Sequence, residues 1–201
     1  MRTVCIALLA RERYPGRREA HFRERGVNAD IFYGVDGTNT SLTTNRLYEL
    51  DGPGAECNIG GKGVGIWISH RMLWSALLLL PDEEFFVLED DVRFPEDWRG
   101  RVFGALADAP PDWDMIYVGS CCTQDKPGRL VRGNVHEVLY PFCLHGYLVR
   151  KKALLTLIRT QEEAGCYGPI DVTLTLHSLP KLKVYTVIPR VLDQWDMELV
   201  P

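Results

Sequence analysis

Short apolar runs alternate with helical segments in the first half of the chain, and this alternation limits the folds open to it. Residues 3–10, 29–37 and 85–88 are largely apolar and typical of buried strands, whereas residues 17–25 and 64–80 are predicted helices. An order of strand, helix, strand, helix, strand is typical of α/β proteins. We therefore predict a mixed, mostly parallel sheet flanked by helices.

The second half of the chain continues with mixed elements. Its predicted strands are residues 113–119, 136–140, 144–149 and 182–189. Its predicted helices are residues 96–107, 150–163 and 169–179. Between them, residues 120–134 are expected to form a hairpin or lid with its turn at Pro127-Gly128.

Length and composition point to one domain spanning residues 1–201, because 46% of the 201 residues are hydrophobic. The formal net charge of -4 gives no electrostatic reason to expect sequence-independent nucleic-acid binding. Residues 64–80 are the most apolar stretch, but Ser69-His70-Arg71 interrupts them, which predicts a core helix rather than a membrane span. We also expect no signal peptide, because the first apolar run is short and lacks a small-residue cleavage site.

The six cysteines show no C-x-x-C spacing, which argues against a zinc knuckle or a thioredoxin-type motif. Adjacent Cys121 and Cys122 are interpreted as reduced thiols, and Cys5 and Cys143 as small apolar side chains within apolar runs. Reduced thiols indicate a reducing compartment. The expected location is therefore the cytoplasm, with peripheral contact to the inner membrane left open.

An acidic triplet follows the run at 85–88, in the segment "FFVLEDDVRF". Glu89 and Asp91 are expected on one face of the strand and Asp90 on the other. Three adjacent carboxylates need solvent, hydrogen bonds or a cation to stay ionised, and ligands of open α/β sheets bind beyond the carboxyl ends of strands. The triplet thus indicates either a Mg²⁺ or Mn²⁺ ion that holds a nucleotide diphosphate, or a solvated junction in which an aspartate caps the next turn.

The segment "GGKGVG" at 60–65 is not a P-loop, because Lys62 is followed by Gly63 and no strand leads into it. Glycines before a helix still expose backbone N–H groups that favour anions, or they simply permit close packing. His70, in the following helix, is either a buried core histidine or a ligand.

Together these segments resemble the signature block of glycosyltransferase family 25, which includes lipooligosaccharide and procollagen galactosyltransferases. The pattern is a glycine, Ser-His, Leu-Trp and a strand that ends in Glu-Asp-Asp. Its positions here are Gly65, Ser69-His70, Leu73-Trp74 and Glu89-Asp90-Asp91. Weaker matches follow in order along the chain, at Asp36-Gly37, His145, Tyr147, Leu148, Pro169, Asp171, Pro189 and Gln194. The chain departs from the family at Ile66, where many members have Cys, and in "ALLARERY", where Asn-Leu-x-Arg is usual.

The resemblance implies a GT-A fold and transfer of a hexose, galactose or glucose, from a UDP-sugar to a hydroxyl with inversion at the anomeric carbon. It also implies Mn²⁺ or Mg²⁺ as the cofactor, with Asp91 as the first metal ligand and Glu89 assisting. The implied donor-binding residues are Arg11, Arg13, Asp36, Ser69, His70, Asp90, His145 and Gln194. The acceptor is expected to be a glycan, as in lipopolysaccharide biosynthesis, with a protein hydroxyl or a modified DNA base as alternatives.

Inversion requires one general base, and the candidate is Asp171. Pro169 is suited to start a helix and to place this carboxylate in its first turn. The helix dipole there favours the ionised carboxylate, which weakens it as a base, so a capping or acceptor-anchoring role is the alternative. Asp193 and Asp196 compete for the role of base, and Trp195 between Gln194 and Asp196 is a candidate to close over the donor.

Two other functions remain compatible with the same acids. A nucleotidyltransferase or phosphate hydrolase is disfavoured, because the sequence has neither a Walker loop nor a second acidic cluster. A non-catalytic sugar- or nucleotide-binding descendant of the fold is the remaining alternative.

Overall fold

The structure, a computed structural model, describes residues 1–8, 16–37, 60–121, 127–164 and 169–195. Its strands are β1 (Arg2–Ala7), β2 (Asp30–Tyr33), β3 (Glu84–Glu89), β4 (Val92–Arg93), β5 (Met115–Cys121), β6 (Leu130–Arg132), β7 (Val135–Glu137), β8 (Phe142–Arg150), β9 (Val184–Val187) and β10 (Asp193–Gln194). Its helices are α1 (Arg17–Glu24), α2 (Gly60–Leu78), α3 (Trp98–Asp108), α4 (Lys151–Ala164) and α5 (Ile170–Thr173), which continues through a π-helical turn and a 3₁₀ turn to Lys181.

Eight strands form one mixed sheet in the order β2-β1-β3-β8-β5-β9-β7-β6. The parallel pairs β1–β2, β1–β3 and β5–β9, together with the antiparallel pairs around β7 and β8, leave six strands pointing one way and only β7 and β8 opposed. The prediction of a mixed, mostly parallel sheet is confirmed. The two short strands β4 and β10 pair separately as an antiparallel ribbon.

Both faces of the sheet are covered by helices because the central strands are apolar on both sides. In β3, Phe85 and Val87 pack with α2, α4 and α5 on one face, and Phe86 and Leu88 pack with α1 and α3 on the other. All four side chains are buried. A strand that is apolar at every position fits only such a doubly covered sheet, which is why this segment lies at its centre.

Most elements lie within a few residues of their predicted positions, and two differences are informative. Helix α2 begins at Gly60, four residues before the predicted start, so the glycine-rich segment is the first turn of the helix rather than a loop. The predicted hairpin at 120–134 is instead β6–β7, with its turn at Gly133, whose φ is 54°. Glycine adopts a left-handed backbone conformation readily, which explains why the turn lies at Gly133 rather than at Pro127-Gly128.

In the part of the chain that the structure describes, no helix is both long and apolar enough to cross a membrane.

Candidate active site

The acidic triplet lies where β3 ends, at the centre of the sheet. Ile6 of β1 is the parallel neighbour of Glu89, and Asp90 and Asp91 form the turn that leads into β4. The carboxyl ends of β1 and β3 therefore meet beside these acids, at the edge where open α/β sheets bind ligands.

A cavity at this edge, called the acidic cavity below, brings together six of the predicted site residues. They are Asp36, Ser69, His70, Glu89, Asp90 and Asp91. Asp90 was expected on the face opposite to Glu89 and Asp91; strand β3 ends at Glu89, and all three acids line this one cavity. Four carboxylates line this cavity together with one lysine, Lys62, so its walls favour a cation.

Each aspartate of the turn is held by a partner distant in sequence. The Leu8 N–H donates to Asp90 Oδ2 at 3.1 Å, and Gln194 Nε2 donates to Asp91 Oδ2 at 3.1 Å. Burial raises the pKa of Asp90, while the hydrogen bond from Leu8 and the charge of Arg18 act in the opposite direction. The turn is therefore fixed in place, and the Asp90 carboxylate is partly shielded from water.

A chain of buried hydrogen bonds holds Glu89 and His70. Trp74 Nε1 donates to the Tyr147 hydroxyl at 2.8 Å, and that hydroxyl lies 3.1 Å from His70 Nδ1. Because the Glu89 carboxylate beside Nε2 only accepts, the ring N–H is placed on Nε2, and Nδ1 accepts from the Tyr147 hydroxyl. His70 Nε2 lies 3.4 Å from Glu89 Oε1, so it donates to the carboxylate. His70 is thus a buried histidine that also reaches the acidic cavity.

The first turns of α2 are locked against the end of β2, which brings Asp36 into the cavity. The Ser69 hydroxyl donates to the Gly65 carbonyl at 2.6 Å and accepts from the Val35 N–H at 2.8 Å. A Cβ at Gly65 would lie 2.5 Å from both Gly37 N and Val35 O, so no larger residue fits there. Close packing therefore explains why position 65 is a glycine. This was one of the two interpretations of the glycine-rich segment.

A second cavity, called the Asp171 cavity below, adjoins the first. Glu89 and Ile66 line both. Besides these two residues, its wall contains Cys143, Gln194 and the start of α5, where Pro169, Ile170 and Asp171 lie. Two of the predicted site residues, Asp171 and Gln194, are thus brought next to the acidic triplet.

Asp171 lies in the first turn of α5 behind Pro169, as the sequence predicted. Its Oδ2 accepts from the Cys143 N–H at 3.1 Å, and its Oδ1 accepts from the Val172 N–H at 2.8 Å. Two backbone donors therefore orient the carboxylate. This geometry suits both an oriented base and an anchor for an acceptor hydroxyl.

The C-terminal ribbon returns the chain to the triplet. Strand β10 pairs with β4, and the Trp195 N–H donates to the Asp91 carbonyl at 2.9 Å. The Trp195 ring lies under the Arg17 guanidinium, 3.8 Å from its centroid, and meets His21 edge-on. Asp193 Oδ1 lies 2.5 Å from Arg190 Nε, and neither Asp193 nor Trp195 is among the residues that line the two cavities.

The remaining predicted residues lie elsewhere. His145 is fully buried, outside the lining of both cavities, and its Nε2 lies 3.1 Å from the Leu192 carbonyl oxygen. Arg11, Arg13 and Asp196 lie outside the described residues.

The expectations of a reduced thiol at Cys121 and of a small apolar side chain at Cys143 are wrong in this structure, because the two residues are joined in a disulfide with a Cα–Cα distance of 5.5 Å. Cys121 is the last residue of β5, and Cys143 lies near the start of its neighbour β8. The pairing was hidden from sequence reasoning, because neither cysteine has a local motif and 22 positions separate them. The prediction of a reducing compartment, which rested on these thiols, loses that support.

Sequence reasoning assigned no role at the site to several residues that line the cavities, among them Lys62, Ile66 and Cys143. Lys62 had a usable signal, since it is the only cation of the glycine-rich segment. Ile66 and Cys143 are apolar in pattern, and only the tertiary structure places them at a cavity.

The carboxylates suit a hard divalent ion by their chemistry. Mg²⁺ and Mn²⁺ prefer oxygen ligands, and Mg²⁺ is often held by one or two carboxylates plus substrate phosphates. Among the described residues, the acidic triplet is not a group whose ligand atoms all lie within 4.8 Å of one another. An ion held by Asp91 or Glu89 would therefore need substrate oxygens and water to complete its shell, because the protein alone does not supply it.

The fold is similar to that of a glycosyltransferase involved in the glycosylation of the major capsid of PBCV-1. The TM-score is 0.53 at 13% sequence identity, over 96% of this chain and 92% of the other. With its large mixed sheet between helices, the chain has the fold of the GT-A-like nucleotide-sugar transferases.

Proteins of similar sequence indicate one family within this class. The chain is 29% identical over 168 residues to a glycosyltransferase 25 family member of Anopheles gambiae, a match that covers 78% of this chain and 28% of the relative. These relatives confirm the resemblance to glycosyltransferase family 25, and their names support the prediction of a glycosyltransferase. The chain is also 28% identical to the human inactive glycosyltransferase 25 family member 3, over 78% of this chain and 29% of that protein.

The chain spans less than a third of the length of these two curated relatives. No family model matches it.

Proposed function

We propose that the chain is a metal-dependent, inverting glycosyltransferase that moves galactose or glucose from a UDP-sugar to a hydroxyl acceptor. The observation that carries the proposal is the meeting of Glu89, Asp90 and Asp91 with His70 and Asp36 in one cavity, at the carboxyl ends of β1 and β3. In open α/β sheets, nucleotide ligands bind at this edge, in the crevice beyond the carboxyl ends of the strands.

The acidic cavity is the proposed donor site. Asp91 and Glu89 would hold Mn²⁺ or Mg²⁺, and a divalent ion at that position stabilises the negative charge that develops on a departing diphosphate. Gln194 orients the Asp91 carboxylate and His70 orients that of Glu89. Lys62, at the start of α2, adds a positive charge beside the N–H groups of the first helical turn, where anions are favoured.

The adjoining Asp171 cavity is the proposed acceptor site. An inverting transfer is one displacement, in which the acceptor oxygen bonds to the anomeric carbon while the bond to the diphosphate breaks. The proton of the acceptor hydroxyl passes to the Asp171 carboxylate, which the N–H groups of Cys143 and Val172 hold in position. A glycan hydroxyl is the proposed acceptor, and the acidic walls disfavour DNA.

A non-catalytic descendant of the fold is the second candidate, and one observation favours it. One human relative, 28% identical over 78% of this chain, is named inactive. Both candidate functions predict donor binding, but only the glycosyltransferase predicts turnover. A binding measurement alone therefore does not distinguish them.

A thermal-shift panel of UDP-sugars tests the proposal. With Mn²⁺, UDP should raise the melting temperature, since a ligand at 100 times its Kd adds about 2.7 kcal/mol to the stability of the native state. With a chelator the shift should disappear. In Asp91→Asn the Mn²⁺-dependent shift should be lost, whereas Asp97→Asn, at an exposed carboxylate before α3, should retain it.

Slow hydrolysis of one UDP-sugar without acceptor would name the donor and exclude the non-catalytic alternative. Equal UDP binding with Mn²⁺ and with chelator would overturn the proposed metal-dependent donor site.

A further inference from the structure

Three potential metal ligands lie close together on β5 and β8, beside the Asp171 cavity. Cys121 ends β5, and Cys143 and His145 belong to β8. One ligand atom from each lies within 4.8 Å of the other two, which makes this the one such group among the described residues. An irregularity in the pairing of β5 with β8 brings them together: the register shifts between Gly119 and Cys121, and Cys143 has a left-handed φ of 63°.

One ring nitrogen of His145 is available to a metal. Its Nε2 lies 3.1 Å from the Leu192 carbonyl oxygen, which only accepts, so Nε2 carries the proton and Nδ1 has the lone pair. The side chain is fully buried, and Nδ1 has no hydrogen-bond partner in the described structure. A histidine that gives one N–H to a backbone carbonyl and offers the other nitrogen is the usual state of a metal ligand.

We propose that Cys121, Cys143 and His145 form a second metal site, which binds Zn²⁺ when the Cys121–Cys143 disulfide is reduced. Two thiolates and one imidazole are a ligand set of zinc sites that keep a fourth position open. This sulfur and nitrogen set selects against Mg²⁺ and Mn²⁺, which prefer the oxygen ligands of the acidic cavity. The two sites therefore differ in the metal that they take.

The disulfide and the metal exclude each other. A dithiol supplies two electrons and two protons, which convert the disulfide into two thiols while the dithiol becomes a cyclic disulfide. Binding of Zn²⁺ then releases both protons to solvent, so two thiolate charges balance the ion. In the reverse step a small-molecule disulfide takes two electrons from the two thiolates and two protons from solvent, becomes a dithiol, and leaves the Cys121–Cys143 disulfide and the released ion.

The site touches the Asp171 cavity, although the proposal does not depend on transferase activity. Cys143 lines that cavity, and its N–H donates to Asp171. Cys121 Sγ lies 3.9 Å from Gln194 Oε1, on the side chain that also contacts Asp91. The state of the two sulfur atoms is therefore linked to the wall between donor and acceptor.

The test uses Co²⁺ as a spectroscopic substitute for Zn²⁺. The full chain is reduced with a dithiol, separated from it without oxygen, and titrated with Co²⁺. The expected result is a thiolate-to-cobalt charge-transfer absorption that saturates at one ion per chain and is reversed by one equivalent of Zn²⁺. Co²⁺ bound to the carboxylates of the acidic cavity gives no such absorption, so the readout is separate from the proposed donor site. The oxidised chain should show none.

Matched variants identify the ligands. Cys143→Ser and Cys121→Ser should each weaken Co²⁺ binding by at least about tenfold. Loss of a residue that only hydrogen-bonds to a metal ligand already costs about tenfold or more in metal affinity, so loss of a ligand should cost at least as much. Cys122→Ser, beside Cys121 in the sequence, and Cys5→Ala, at a buried thiol on β1, should leave the titration unchanged. Circular dichroism of each variant checks that it is folded. Absence of the band in the reduced chain, or its persistence in folded Cys143→Ser, would overturn the proposal.

Discussion

The two adjoining cavities share Glu89 and Ile66, yet their walls differ in charge. The acidic cavity has four carboxylates and Lys62, whereas the Asp171 cavity has two carboxylates among apolar and neutral side chains. Sheet topology explains the contrast. The first cavity lies at the carboxyl ends of β1 and β3, and the second lies between the start of β8 and the start of α5.

The contrast separates two tasks. A surplus of carboxylates suits a cation and, through it, an anionic ligand such as a diphosphate. A less charged wall with one carboxylate held by backbone donors suits a neutral hydroxyl group that must lose a proton. Changes in one cavity should therefore affect binding, and changes in the other should affect turnover.

The largest effect is expected at Asp171. Asp171→Asn removes the proposed base and should lower kcat by about 10²- to 10⁴-fold, the usual contribution of general base catalysis. The thermal shift with UDP and Mn²⁺ should stay as in the unmodified chain, because the donor cavity is intact. Steady-state kinetics on the UDP-sugar found by the panel measures the first quantity.

Asp193→Asn is the matched control, because its carboxylate pairs with Arg190 outside the cavity linings. It should retain most of the turnover. A large loss in Asp193→Asn together with a small loss in Asp171→Asn would exchange the two assignments.

A middle-sized effect is expected from Tyr147→Phe, which breaks the buried chain behind Glu89. The change leaves the Trp74 N–H and His70 Nδ1 without their shared partner, and should cost about 1–3 kcal/mol of stability. Donor affinity with Mn²⁺ should fall about tenfold, as for loss of an outer partner at a metal site. Nitrogen-15 chemical shifts of the His70 ring should change from one tautomer to a mixture.

Tyr117→Phe is the control for this change. Tyr117 is as buried as Tyr147, but its hydroxyl has no hydrogen-bond partner in the described structure. Its removal should leave stability and donor affinity nearly unchanged. Equal losses in both variants would show that the hydroxyl chain has no special role.

The smallest effect lies outside both cavities, at His21 in α1. Burial lowers the pKa of His21, and its Nε2 accepts the Phe94 N–H at 2.9 Å. The unfolded chain therefore binds a proton below about pH 6.5 that folded His21 resists, so stability falls as the pH drops below that value. His21 contributes at most about 1.4 kcal/mol per pH unit to this loss.

In His21→Gln, denaturant unfolding between pH 7 and pH 5 should show a smaller loss of stability than in the unmodified chain. An unchanged pH dependence would mean that another group accounts for it. Since His21 lies outside both cavity linings, UDP binding at pH 7 should not change.

Much of this architecture was accessible from the sequence, for local reasons. The run at Phe85 to Leu88 is apolar at every position, which is compatible only with a strand covered on both faces, and the acids that follow it mark the ligand edge. Pro169 likewise placed Asp171 in a first helical turn. By contrast, the Cys121–Cys143 pair and the contact of Gln194 with Asp91 join residues far apart in the chain, and no local pattern encodes such pairs.

The sequence by itself determined the order of strands and helices, the central position of the acidic strand and the resemblance to one glycosyltransferase family, because periodicity and short motifs act over a few residues. The tertiary structure alone decided that the acids form one cavity rather than two faces, that Asp171 adjoins it, and that two cysteines and a histidine meet beside it. These contacts arise where the edges of neighbouring strands converge, and that convergence depends on sheet order and register rather than on any single segment.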